Sequence, residues 1–490
     1  MLKRKFTQYI EHFLKEEQDK ILLVNGARQI GKSYLIRYVG TKLYTHFVEI
    51  NLKEDKEGEQ VFASVHTTND LYIRLSNYYS KPLGNKSDTL IFLDEIQSYP
   101  HLLTMLKFLN QEGKYRFIAS GSQLGVALVQ TPSVPLGSVE IKQMYPLDFE
   151  EFLWATGISA EWIEQIHNSY LKEEALDENT HSLLLKRFQY YLLIGGLPEA
   201  INKYLEDRNI TRVRSVHNDI HELYRIDSSQ YDAEHKLKIR RIYDLIPSAL
   251  ENKKKRIVYK QIEDKKGKDF SDYADEFEYL ANSGVALMVS AISNPHFPLI
   301  ESEQKRLVKF YLNDVGLLTH LFYGLNVNAV LQNIKSINLG TVYESVVAQE
   351  LQAHGFNLHY YDNKQKGEVD FLIDDYERLE VLPLEVKSGK DYTEHSALTK
   401  FLNTPDYGIH RAIVFSNERA VQKKKGVTYL PIYYCMFLHN GTAASDTVIL
   451  RGDFRRIDIK PFYLVAPVVK LKPCNKRFYP CLTFCGWLRL

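Results

Sequence analysis

The residues best equipped for chemistry stand near the N-terminus: Gly26-Ala27-Arg28-Gln29-Ile30-Gly31-Lys32-Ser33. The octet matches G-x-x-x-x-G-K-S/T in full. It follows an apolar run, Ile21–Val24, and opens a stretch of helical spacing, Ser33–Val39. Its two glycines, Gly26 and Gly31, let backbone N–H groups turn inward around phosphate oxygens. The helix start adds partial positive charge. Lys32 can reach β- and γ-phosphates, and the Ser33 hydroxyl can ligate Mg2+. The octet therefore implies ATP and Mg2+ as ligands. A chance glycine-rich turn is the bland alternative, and the strand-before, helix-after context argues against it.

A partner motif supports this. Leu90-Ile91-Phe92-Leu93 runs into Asp94-Glu95, two carboxylates at the end of an apolar strand. In a parallel sheet that end faces the ligand crevice. Asp94 is expected in the Mg2+ shell and Glu95 beside the attacking water, which favours hydrolysis over passive binding. Ser122, after the next apolar run, is the candidate sensor of the γ-phosphate, with Ser120 as its alternative. An ordinary turn at Ser120-Gly121-Ser122 is the competing view. No arginine finger can be chosen: Arg116 begins a strand, Arg28 lies inside the loop, and each is expected to be structural or solvated.

A second constellation lies far downstream. Asp370 and Glu385, with Lys387, read as D-x14-E-x-K. On neighbouring strands the two carboxylates can converge on one hard cation such as Mg2+. Lys387, two residues after Glu385, points to the same strand face. Glu344, on a preceding helical stretch, adds a third acid. Such a set fits metal-assisted phosphodiester cleavage. An ion-pair cluster on a fold retained for binding is the alternative.

These residues need a scaffold. Ile21–Val24, Phe47–Leu52, Thr89–Leu93 and Arg116–Ala119 read as strands alternating with helices, the mark of a parallel α/β sheet. Phe6, Ile10, Phe13 and Leu14 predict a first amphipathic helix. From Pro146 the texture is helical, broken at Gly195-Gly196. Between Lys236 and Ser293, helices followed by a short hairpin suggest a winged helix. From Leu339 the order is α-β-β-β-α-β. The bounds expected are 1–205, 206–300, 301–440 and an extension, 441–490.

With 490 residues, 44% apolar and 25% charged, the chain is too long for one core and too ordered in composition for a disordered or collagen-like chain. The net charge of +1 hides a tail, Arg455–Leu490, at +7 against −6 elsewhere. Lys253–Lys268 holds a second local excess of +6, which could meet DNA phosphates or be a solvated loop. The four cysteines, Cys435, Cys474, Cys481 and Cys485, do not resemble a secreted disulfide scaffold. The spacing of the last three fits no paired zinc knuckle, so free thiols are expected. No apolar signal core or membrane span is read, which points to the cytoplasm.

Taken together the motifs resemble the prokaryotic AAA-type ATPases that carry a C-terminal domain of unknown function, DUF4143. The resemblance spans residues 1–440. It rests on the P-loop, on Phe92–Gln97 and on Tyr145-Pro146-Leu147-Asp148-Phe149-Glu150-Glu151-Phe152. It rests further on Gly195-Gly196-Leu197-Pro198-Glu199, Tyr311–Leu317 and the set Glu368, Asp370, Glu385 and Lys387. It implies an α/β fold: an AAA-type P-loop ATPase sheet, a winged-helix-like middle and a PD-(D/E)xK nuclease-like end. Many members carry Gly-Arg where this chain has Gly137-Ser138, so a role for that arginine does not transfer. The first functional expectation is an Mg2+-dependent ATPase that moves its C-terminal domains, with DNA and a protein as candidate partners. A nucleotide-gated nuclease and an ATP-switched binding module are the alternatives.

Overall fold

The chain divides into two units, Met1–Val448 and Ile449–Leu490. A computed structural model describes residues 2–16, 19–79, 82–122, 124, 137–227, 236–265, 267–332, 339–389 and 391–440. The basic tail and Cys474, Cys481 and Cys485 lie outside the described residues.

Five parallel strands form the first sheet: β1 (Ile21–Asn25), β2 (His46–Asn51), β3 (Thr89–Asp94), β4 (Arg116–Gly121) and β5 (Val139–Gln143), in the order β2-β3-β4-β1-β5. β1 and β3 are buried along their whole length, which explains their unbroken apolar runs. Helix Lys5–Lys15 buries Ile10, Phe13 and Leu14, and helix Pro100–Glu112 buries Leu102, Leu103, Leu106 and Leu109. β5 is not legible in the sequence. It is an edge strand with one buried residue, Val139, so it lacks an apolar run. The sheet order has a consequence for the site. β4 separates β1 from β3, so Asn25, Gly121 and Asp94 end side by side on one edge.

Helices from Phe149 to Asn282 follow. The second sheet holds β6 (Ala286–Ile292), β7 (Glu303–Leu312), β8 (His359–Asn363), β9 (Gly367–Asp375), β10 (Glu380–Val386), β11 (Ala412–Ser416), β12 (Gln422–Lys424) and β13 (Val427–Pro431). Its order is β12-β13-β11-β10-β9-β8-β6-β7. Helix Leu339–Ala353, β8 to β10, helix Ser396–Leu402 and β11 reproduce the α-β-β-β-α-β order. Helices do precede a β6–β7 hairpin, as a winged helix requires. However, β6 also pairs in parallel with β8, so the hairpin is the rim of the larger sheet. The expected boundary between residues 300 and 301 therefore falls within one hydrogen-bonded hairpin and is not a break in the fold.

Three conspicuous sequence motifs meet at one seam. Gly196 N–H donates to Asp314 Oδ2 at 2.6 Å, and Leu147 N–H donates to Gly196 O at 2.7 Å. A side-chain carbon on Gly196 would stand 2.0 Å from Leu147 O, so only glycine allows this approach. Asp314 also caps helix Val315–Tyr323 through Leu317 N–H at 3.1 Å. Glu350, on helix Leu339–Ala353, accepts from Phe149 N–H at 2.8 Å. These motifs bind the first sheet to the second.

Candidate nucleotide site and carboxylate cluster

The P-loop joins β1 to helix Lys32–Leu43, whose first neighbour, Gly31, has φ +95°. That backbone state suits glycine and leaves the helix N-terminus open. Gln29, also in the loop, is held at φ 63°. Lys32 is buried, and its ammonium donates to Gly26 O at 2.9 Å and Ala27 O at 2.7 Å. The Ser33 hydroxyl donates to Asp94 Oδ2 at 2.7 Å, so the two sequence motifs touch. A hydroxyl, a carboxylate and an ammonium resting on two carbonyls form a donor set that fits a magnesium nucleotide.

Around Asp94 the structure divides the serines between two tasks. Ser120 donates to Asp94 Oδ1, whereas Ser122 Oγ accepts from Arg28 Nε at 3.3 Å. Arg28 Nη2 lies 4.0 Å from Glu95 Oε2, and the side chain is 14% exposed. Arg28 is not solvated: the loop turns its guanidinium inward, toward Glu95 and Ser122. Arg116 donates to Glu16 O at 2.8 Å, at the start of its strand. Glu95 sits at φ 53°, a left-handed state uncommon for a side-chain-bearing residue. Gln97 Nε2 holds its Oε2 at 2.6 Å and reaches Ser122 Oγ at 3.5 Å. Gln97 Oε1 is buried without a hydrogen-bond partner. No local sequence pattern gives Gln97 a role, because its contact with Glu95 depends on the left-handed turn there.

The P-loop also meets residues far along the chain. The Tyr224 hydroxyl donates to Arg28 O at 2.9 Å. Asn25 Nδ2 donates to Gln143 Oε1 at 2.7 Å and to Asn282 O at 3.4 Å. A side-chain carbon on Gly284 would stand 3.1 Å from Ala27 N. No local sequence pattern signals these contacts.

In the second sheet, Asp370, Glu385 and Lys387 come together as expected, and Glu344 joins them. Asp370 Oδ2 accepts from Val386 N–H at 2.8 Å, and Lys387 Nζ donates to Glu385 Oε1 at 2.8 Å. Burial and the nearby Asp370 charge push the Glu385 carboxyl up to about 8. Burial and Asp370 raise Glu344 as well. Yet among the described residues no three His, Cys, Asp or Glu side chains converge closely enough to hold a metal ion. Lysines intervene. Lys255 donates to both Glu344 oxygens, one at 2.5 Å, and fully buried Lys309 pairs with Glu368. As arranged, the carboxylates are neighbours but are not grouped around one cation, which corrects the expectation that Asp370 and Glu385, with Glu344, hold a metal ion.

The Lys253–Lys268 stretch is also redirected. Lys254 and Arg256 both pair with Asp362, at 2.9 and 2.7 Å, and Lys255 with Glu344. Lys268 pairs with Asp272 at 2.6 Å. Lys255 and Arg256 are thus largely covered by their acid partners, while Lys254, Lys260 and Lys265 keep more than half of their side chains exposed. Cys435 is buried, its thiol raised well above its ordinary value by burial, and it is a free cysteine. No helix among the described residues is long and apolar enough to cross a membrane.

Residues 18–153 match the AAA domain family. Residues 185–330 and 339–435 match two domains of unknown function, DUF8612 and DUF4143. No curated protein matches the chain. Among solved structures, the Walker-type ATPase PABY2304 of Pyrococcus abyssi is similar at 14% identity and TM-score 0.39, covering 66% of this chain and 96% of that one. The Aeropyrum pernix ORC1 protein in complex with DNA is similar at 15% identity and TM-score 0.29, covering 65% and 91%. The Thermotoga maritima RuvB Holliday junction branch migration motor is similar at 14% and 0.27, covering 58% and 89%.

Proposed function

The chain belongs to the AAA-type ATPases that carry a DUF4143 domain, and from that premise we propose that it hydrolyses ATP with Mg2+ to reset its C-terminal domain. The observation that carries the reading is the 2.7 Å contact between Ser33 and Asp94 beside the Lys32 ammonium. Ser33 and Asp94 would hold the ion. Bound Mg2+ would supply charge neutralisation at the phosphate oxygens. Lys32 would leave the Gly26 and Ala27 carbonyls for the phosphates. Glu95, aimed by Gln97, would orient the attacking water and take its proton. Arg28 and Ser122 would read the γ-phosphate position.

The test is ATP turnover by the full chain. Lys32→Ala is expected to lose binding and turnover, and Glu95→Gln to keep binding but lose turnover. Undiminished hydrolysis by Lys32→Ala would sink the reading. DNA enters this proposal as the candidate effector of the C-terminal domain. A rise in ATPase rate on adding single-stranded DNA, duplex DNA or RNA selects among nucleic acids. An unchanged rate with all three favours a protein partner.

A further inference from the structure

Phosphoryl transfer gathers negative charge on the γ-phosphate oxygens, and a guanidinium set against them is the side chain best shaped to offset it. The arginines around the first sheet differ in what holds them. Arg4 is buried and donates to Glu151 Oε2 at 3.0 Å, Ile30 O at 3.2 Å and Tyr145 O at 2.7 Å. Arg37, on helix Lys32–Leu43, pairs with Glu49 through two bonds of 2.6 Å. Arg116 donates to Glu16 O from the first residue of β4, at the end of the strand away from Gly121. None of these contacts touches Glu95 or Ser122. Those of Arg28 do.

Arg28 is the third residue of the octet, inside the loop that joins β1 to the helix. The Tyr224 hydroxyl holds its carbonyl at 2.9 Å, and Gln29, next in the chain, turns at φ 63°. Its side chain therefore starts from a defined place. The guanidinium lies between the hydroxyl and the carboxylate that flank the expected site of reaction. Nε donates to Ser122 Oγ at 3.3 Å, and Nη2 stands 4.0 Å from Glu95 Oε2. Gln97 Nε2 ties the same two residues together, at 2.6 Å from Glu95 Oε2 and 3.5 Å from Ser122 Oγ. With 14% of the Arg28 side chain exposed, its charge acts through little water.

We infer that Arg28 is an arginine finger supplied in cis by the P-loop itself, so that one chain holds a complete hydrolytic centre and needs no arginine from a second copy. The inference rests on the ATPase reading and adds a catalytic residue to it. In the step, a water oxygen bonds to the γ-phosphorus as the bond from that phosphorus to the β,γ-bridging oxygen breaks. The electron pair of the broken bond leaves with ADP, and the water proton passes to Glu95. Arg28 exchanges neither proton nor electron. It moves from Ser122 onto γ-phosphate oxygens, where its planar fork offsets the charge spread over them. Before ATP arrives, the Glu95 carboxylate keeps the guanidinium close to the reacting atoms.

The test uses the full-length chain with ATP, and with ADP plus aluminium fluoride, which mimics the transferring phosphoryl group. Arg28→Ala is expected to lower kcat at least about hundredfold and to leave ATP affinity within about threefold. It is expected to bind ADP as the wild type does, yet fail to trap ADP with aluminium fluoride. Arg28→Lys keeps the charge without the fork and is expected to fall between the two; it carries the test should Arg28→Ala not fold. Mixing Arg28→Ala with Lys32→Ala tells cis from trans. Acting in trans, the Lys32→Ala copy would lend its arginine and restore turnover. Acting in cis, the mixture does no better than the two variants apart, and the wild-type rate per chain is the same in dilute and concentrated protein. The inference is overturned if Arg28→Ala and Arg28→Lys keep the wild-type kcat, or if the mixture regains turnover. Equal loss of ATP affinity and kcat overturns it too, since Arg28 would then only shape the loop. A wild type without turnover overturns the ATPase reading itself, an outcome seen before any variant is made.

Discussion

Glu95 is a carboxylate whose position depends on one neighbour. Its left-handed backbone sends the side chain toward Gln97, whose amide fixes one oxygen at 2.6 Å. A base held at a fixed angle can orient a water, and a free one samples many angles. Gln97→Ala is therefore expected to lower kcat by about tenfold or more while leaving ATP affinity within about twofold. Steady-state kinetics with a separate binding titration check this. Equal loss of affinity and rate would mean that Gln97 supports the fold instead. At this scale the P-loop was fully legible, because its spacing is dictated by phosphate geometry. Gln97 and the inward turn of Arg28 were not legible as contacts, because each depends on backbone conformation. The division between Ser120 and Ser122 depends on β4 lying between β1 and β3, which no stretch of sequence states.

Among the elements, the seam between the sheets carries a measurable signature. Asp314 is fully buried and accepts N–H groups from Gly196 and Leu317, yet burial outweighs those bonds and pushes its carboxyl up to about 6. A raised carboxyl favours the native state when protonated. Its contribution is complete below the unfolded value of about 4 and is lost as pH rises through about 6. Ionised at pH 7, it costs on the order of 3 kcal/mol. Asp314→Asn removes the ionisation, so the stability gap between variant and wild type is expected to move in the variant's favour from pH 4 to pH 7. Urea unfolding at both values measures it, and a gap independent of pH would refute the assignment. Asp314 and Gly196 stood out as residues, but their pairing spans 118 positions and could not be read. Strands β1, β3, β10 and β11 were legible from apolar runs. β5 and β12 were not, because edge strands with exposed faces carry no such run.

For the whole molecule the question is how a nucleotide at the first sheet could be felt at the second. The contacts form a short physical route. Ala27 of the P-loop lies against Gly284, whose carbonyl accepts from Asn313 Nδ2 at 2.8 Å. Asn313 directly follows β7, and β7 carries Lys309 and Tyr311 into the carboxylate cluster, where Tyr311 reaches Glu344 at 3.3 Å. Tyr224 clamps the other side of the loop at Arg28 O. When Lys32 leaves the Gly26 and Ala27 carbonyls for a phosphate, the loop backbone that touches Gly284 must readjust. Coupling along this route is read by amide hydrogen exchange. With a non-hydrolysable ATP analogue, amide hydrogen exchange is expected to slow at residues 26–33 and to change at 282–286 and along β7. The same analogue is expected to change nothing in Lys32→Ala. If protection in the wild type stops at the P-loop and its own sheet, the two halves are joined only by packing, and a β7 route for nucleotide control is wrong.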